Sequence, residues 1–94
     1  MVVSALEVVP NCNTAAEGAL LYEALHGPLR AGEAVTLSFA GADGVPSSFV
    51  NASVVRIVEE FGLEEVRQKL SIVNCTAQVA DMLRRCIRNA SAMA

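Results

Sequence analysis

Apolar and polar positions alternate along this chain with two different periods, and the switches between them mark out its elements. Val2 to Val9 is rich in β-branched residues and stops at Pro10-Asn11, which predicts a first strand. The period then lengthens. Thr14 and Glu17 have the spacing of a capping box, Leu20, Leu21 and Leu25 supply a helical stripe, and Gly27-Pro28 predicts a stop, giving a helix over 14–26. Ala34 to Ala40, apolar except for Thr36 and Ser38, has the composition of a buried strand and is followed by turn residues from Gly41 to Gly44. Ser47 or Ser48 is placed to cap a second helix, in which Val50, Val54, Ile57, Val58 and Phe61 recur at helical spacing until Gly62. Leu63 to Lys69 predicts a short helical turn with Val66 inward, and Leu70 to Val73 a short third strand bounded by Asn74. Thr76 is placed to cap a last helix with Val79, Met82, Leu83, Cys86 and Ile87 on its apolar side, and Asn89 to Ala94 is expected to fray.

Strand alternating with helix predicts a single α/β domain over residues 1–94, with a short, mostly parallel sheet and helices packed on it. If the strands are parallel, each carboxyl end feeds a helix start, and the polar junctions share one rim of the sheet, where open α/β sheets bind ligands. The residues expected there are Asn11, Asn13 and Thr14, then Ser47, Ser48, Phe49 and Asn51, then Asn74 and Thr76. Phe49, beside the serines, could serve as part of a docking patch or as the anchor of its helix, and a shared role is expected.

Composition narrows the function classes. Hydrophobic residues make up 53% of the 94 and charged residues 18%, enough for a well-filled core or an apolar face kept for a protein partner or a second copy of the chain. A net charge of -3 argues against nucleic acid as partner, since phosphate neutralisation needs clustered cations. Arg84, Arg85 and Arg88 form the one basic cluster, and beside Asp81 they read as a solvated helix face. The start of the chain has no basic segment and carries Glu7, and no run of about 18 apolar residues occurs, so neither a signal peptide nor a membrane span is expected. With an odd number of cysteines, Cys12, Cys75 and Cys86, a reducing cytoplasm is the expected home. The Asn-X-Ser/Thr patterns at Asn51, Asn74 and Asn89 are then chance matches.

The chemistry for an enzyme is thin. His26, the sole histidine, lies at the end of the first helix opposite the serines, so a serine nucleophile would lack a base. Cys12 and Cys75 precede helices, where a thiol pKa can fall, but no arginine follows at the spacing of a phosphate cradle. No phosphate-binding glycine motif, metal-ligand cluster or cofactor signature is present, and Gly18 reads as a close-packing position in its helix. Ser47 and Ser48 remain as the candidate regulatory pair, because a phosphate at a helix start adds about -1.5 to -2 of charge.

The stretch from the second strand through the second helix resembles the STAS domain of anti-sigma-factor antagonists. Ser38 takes the polar position in the strand, Pro46 the place of an aspartate, and Ser47 and Ser48 the places of two serines at a helix start. The chain is more similar still to the small STAS-like domain family of unknown function. Thr14, Gly18, Ser48-Phe49, Phe61-Gly62 and Asn74 carry that likeness, over about residues 12 to 90. It implies a STAS-like sandwich acting as a non-enzymatic, protein-binding regulatory module. The expected partner is a histidine-kinase-like ATPase that phosphorylates the helix-start serine and so decides which protein is held. Two positions depart from the pattern: Pro46 replaces the aspartate, and Asn51-Ala52 stands where related chains carry Asp and Glu. The other reading of the rim is a site for a small ligand or nucleotide, and a weaker one is a small enzyme built on Cys12 or Cys75.

Overall fold

A computed structural model describes residues 1–93, with side chains described through residue 90. Three short strands, β1 (Val2–Ser4), β2 (Val35–Ser38) and β3 (Leu70–Val73), form a parallel sheet in the order β1-β2-β3. Six helices accompany them among the described residues: α1 (Ala5–Val8), α2 (Ala15–Arg30), α3 (Ser47–Ala52), α4 (Val54–Phe61), α5 (Leu63–Lys69) and α6 (Ala77–Met93). The expected α/β class, parallel pairing and order of elements are all present.

The strand order explains which face of the sheet holds the core. Right-handed crossovers that advance in the same direction lay their helices on the same side of a sheet. The register aligns Val3, Leu37 and Ile72 in one row, with Val35 opposite Leu70 in the next row of that face. Of these, Val3, Val35, Leu37 and Leu70 are buried and Ile72 packs on the core. The intervening row, Val2, Thr36 and Ser71, is exposed or half-exposed and largely polar. Leu21 and Leu25 from α2, Ile57 from α4 and Val79 from α6 close over the apolar face.

Besides the second strand, which is Val35–Ser38 rather than the expected Ala34 to Ala40, four boundaries differ from the sequence reading. The first strand ends at Ser4, not Val9, because the fully buried Ala5 and Val9 are brought to the core by one helical turn, with the Val9 amide donating to the Ala5 carbonyl at 3.0 Å. Burial outweighs the strand preference of β-branched residues. The α2 helix runs on through Pro28 to Arg30, bringing Leu29 into the core. Proline there removes one amide donor in the last turn, and the stop falls at Gly32 (φ 83°). The Glu33 amide bonds the Pro28 carbonyl and the Gly32 amide the Leu29 carbonyl, both at 3.0 Å, in a Schellman arrangement.

The single helix expected from the serines to Phe61 is two, α3 and α4, hinged at Ser53. Ser53 is fully buried, and its hydroxyl donates to the Phe49 carbonyl at 2.8 Å, which diverts that carbonyl and bends the chain. The residues expected to fray from Asn89 are helical through Met93, and Ala94 lies outside the described residues.

A polar clamp joins α2 to α4. The Tyr22 hydroxyl donates to Glu60 Oε1, His26 Nε2 meets Glu60 Oε2 at 2.5 Å, and the Arg56 guanidinium lies 3.9 Å from the Tyr22 ring centroid. The Tyr22 bond first, then the His26 contacts, hold the Glu60 carboxyl below its ordinary range against desolvation. A carboxyl with a depressed folded pKa contributes stability that is present above its unfolded pKa and lost as pH falls through the folded one. Glu60→Gln should therefore lower stability at neutral pH and flatten its fall below about pH 4.5. Thermal melts of parent and variant across that range test this, and parallel curves would remove Glu60 from the acid response.

Candidate functional site

The site expected from sequence lies where β2 leads into α3, and its shape is set by the start of α6. Thr76 Oγ1 donates to the Asp43 carbonyl at 2.8 Å and accepts from the Val79 amide at 3.2 Å, capping α6 as expected while tying down the loop after β2. Gln78 then pairs with the backbone of Val45, accepting from its amide at 2.9 Å and donating to its carbonyl at 3.3 Å. Gly44 makes room for that amide group: a Cβ there would stand 2.8 Å from Gln78 Oε1. At the end of β2, the buried Ser38 hydroxyl accepts from the Ala40 amide at 3.2 Å and from Asn74 Nδ2 at 3.0 Å. Asn74 holds φ 58°, a left-handed conformation asparagine tolerates better than most residues.

This stapled loop delivers Pro46 as the N-cap of α3, with Ser47 and Ser48 in its first turn. Neither serine caps the helix, contrary to the sequence reading; the preceding backbone takes that place, and both side chains are exposed. Phe49 and Val50, immediately after them, are fully buried. Of the shared role expected for Phe49, the fully buried side chain fills the part of helix anchor. On the other side, α2 comes so close that a Cβ on Gly18 would lie 2.5 Å from the Phe49 carbonyl oxygen and 2.9 Å from the Ala52 Cβ. An exposed serine pair thus sits on a short, tightly held turn. Ser47, Asn51, Val55 and Glu59, four residues apart along α3 and α4, line a groove of about 460 Å³ with Cys86, Asn89 and Ala90 of α6.

The remaining rim residues are placed differently. Thr14 and Glu17 form the expected capping box, the Glu17 amide donating to Thr14 Oγ1 at 3.1 Å and Glu17 Oε1 accepting from the Asn13 amide at 3.3 Å. Asn11 is exposed at the turn before it. Among the described residues no hydrogen bond joins this cluster to Ser47, Ser48, Asn74 or Thr76. Asn74 and Thr76 use their side chains to hold the loop.

Nothing in the fold activates a thiol. Desolvation first, and then Glu17, pushes the buried Cys12 thiol up, and desolvation also raises Cys75 and Cys86. That direction is opposite to what a reactive thiolate needs. Among the described residues no three His, Cys, Asp or Glu side chains gather as a metal site, and no helix is long and apolar enough to cross a membrane.

Sequence reasoning missed Gln78 and Ser53. Gln78 reaches a loop residue 33 positions away, which no local pattern signals. Ser53 had a readable cue, a lone hydroxyl residue inside an apolar helical stripe. Residues 17–80 match the family described as a STAS-like domain of unknown function (DUF4325). No curated protein and no solved structure matches the chain.

Proposed function

Because the chain belongs to the STAS-like domain family, we propose that it is a regulatory protein-interaction module whose switch is phosphorylation of Ser47 or Ser48. Family membership suggests the interaction role. The observation that carries the switch is the exposure of both serines on a turn fixed from beneath by fully buried Phe49 and Val50. A kinase can reach their hydroxyls while the backbone stays in place. A phosphate on Ser47 would put about -1.5 to -2 of charge into the groove it shares with Asn51 and Glu59. The electrostatics of that surface would change without any change of fold. The partner in this reading is a protein, with a histidine-kinase-like ATPase as the enzyme that modifies the serine.

Two expected results follow from the serines' place in the first turn. Since neither makes a capping bond, Ser47→Ala and Ser48→Ala should each change stability by less than about 0.5 kcal/mol, measured by urea unfolding. A loss near 1 kcal/mol would restore the capping role. In a tagged pull-down read by mass spectrometry, phosphate should appear on the peptide spanning residues 47 and 48. Ser47→Asp or Ser48→Asp should change retention of the co-purified protein about tenfold more than the matched alanine. An unmodified peptide together with four equivalent variants would refute the switch.

A further inference from the structure

We infer that the groove bounded by α4, α5, β3 and α6 is a docking site for an acidic amphipathic helix of a protein partner. It is a different surface from the serine pair, and none of the residues lining it is Ser47 or Ser48. Its volume is about 630 Å³, and its apolar lining includes Val58 of α4, Leu63 of α5, Ile72 of β3, and Leu83 and Ile87 of α6. Ile72 belongs to an edge strand, so this side of the sheet carries no further strand among the described residues.

The charge at this groove runs against the charge of the chain. The molecule carries -3 overall, yet the groove is lined by Arg67, Arg84 and Arg88 and by no carboxylate. Among the described residues none of these three arginines makes an ion pair, whereas Arg85, on the same helix but outside the groove, is bound to Asp81 at 2.5 Å. Arginine stems can lie over apolar surface and shelter it, but here the groove stays open with those stems in place. An occupant must therefore bring apolar side chains for the floor and carboxylates for the guanidinium groups, which suit paired hydrogen bonding to carboxylates.

The placement of the cations favours a helix over a small anionic amphiphile. Arg84 and Arg88 are one turn apart on α6, a separation of about 6 Å between neighbouring side-chain origins. Arg67 comes from a different element, α5. A single head group uses one point of charge, while a helix with carboxylates four residues apart matches the Arg84–Arg88 pair along its length. Its apolar residues at i, i+3, i+4 and i+7 would enter the groove between Leu63 and Ile87.

The test uses two synthetic 18-residue amphipathic peptides with the same leucine stripe, flanked in one by glutamate and in the other by lysine. Binding to the full chain is followed by titration calorimetry and methyl NMR. The glutamate peptide should shift the methyl signals of Val58, Leu63, Leu83 and Ile87 and bind at least about tenfold more tightly than the lysine peptide. The double variant Arg84→Glu, Arg88→Glu should weaken it by at least about tenfold, while Arg85→Glu should leave it unchanged. All three positions are exposed, and thermal melts verify that each variant keeps its fold. Equal binding of the two peptides, or no binding of the glutamate peptide, overturns the proposal. So does tighter binding of dodecanoate at the same methyls, addition of a peptide strand along Ser71 to Val73, or a homodimer that buries the groove. None of these outcomes alters the Ser47 and Ser48 readouts, so the two readings fail separately.

Discussion

Phe49→Ala is expected to cost about 3–5 kcal/mol, the usual consequence of removing a fully buried aromatic side chain. Phe49 has no exposed surface, and its backbone carbonyl receives both the Ser53 hydroxyl and the close approach of α2. A domain of this size holds roughly 5–15 kcal/mol in all, so the variant should give up a large share of its stability. Phe49→Leu keeps most of the buried volume and should lose only about 1–2 kcal/mol. The pair separates anchoring from docking. Urea unfolding and partner retention measured together should show Phe49→Leu folded and still binding, and Phe49→Ala failing in both. A Phe49→Ala variant that unfolds at the parent midpoint yet loses its partner would return Phe49 to the docking surface.

The parts of this fold that were legible in the sequence are those fixed by neighbours within a turn. Thr14 and Glu17 announce the start of α2 because their hydrogen bonds close over three residues. Gly62, with φ 88°, ends α4 because few other residues take that conformation. The apolar stripe from Val50 to Phe61 was readable too, but its continuity concealed the hinge, since Ser53 bends the chain without breaking the periodicity of the buried positions. Pro28 misled for the opposite reason. Its local preference points to a stop, but burial of Leu29 and the Schellman bonds around Gly32 carry the helix further. The position of the serines in the chain was readable, whereas what fixes them was not. The Gln78–Val45 and Thr76–Asp43 contacts span 33 residues, and the arginine-lined groove joins α4, α5, β3 and α6. Until the sheet order is known, nothing local distinguishes Arg84 and Arg88 from the other charges on their helix.

Gly18→Ala is expected to lower stability, and with Gly27→Ala beside it this variant decides whether the crossing of α2 and α3 is as tight as its geometry implies. Helix propensity favours alanine over glycine by about 1 kcal/mol in a helix interior, so that term predicts a gain at Gly18. The crossing predicts a loss. The new Cβ would meet the Phe49 carbonyl oxygen at 2.5 Å, and that oxygen belongs to backbone already held by Ser53. Relief requires α3 to move away from α2, which costs about 1–3 kcal/mol for added volume in a packed interior. Gly27, later in the same helix, is the comparison: apart from its own helix backbone and chain neighbours nothing lies within 4 Å of a Cβ there, and since Pro28 follows and crowds a helical Cβ before it, Gly27→Ala should gain less than the full propensity term of about 1 kcal/mol. Urea midpoints for the two alanine variants should therefore move in opposite directions. If both rise, α2 and α3 have room to separate, and the turn that carries Ser47 and Ser48 is not held by Gly18. If Gly18→Ala falls, the close contact beneath the serines is part of what keeps them on a fixed surface, where a single added phosphate can alter recognition without reshaping the domain.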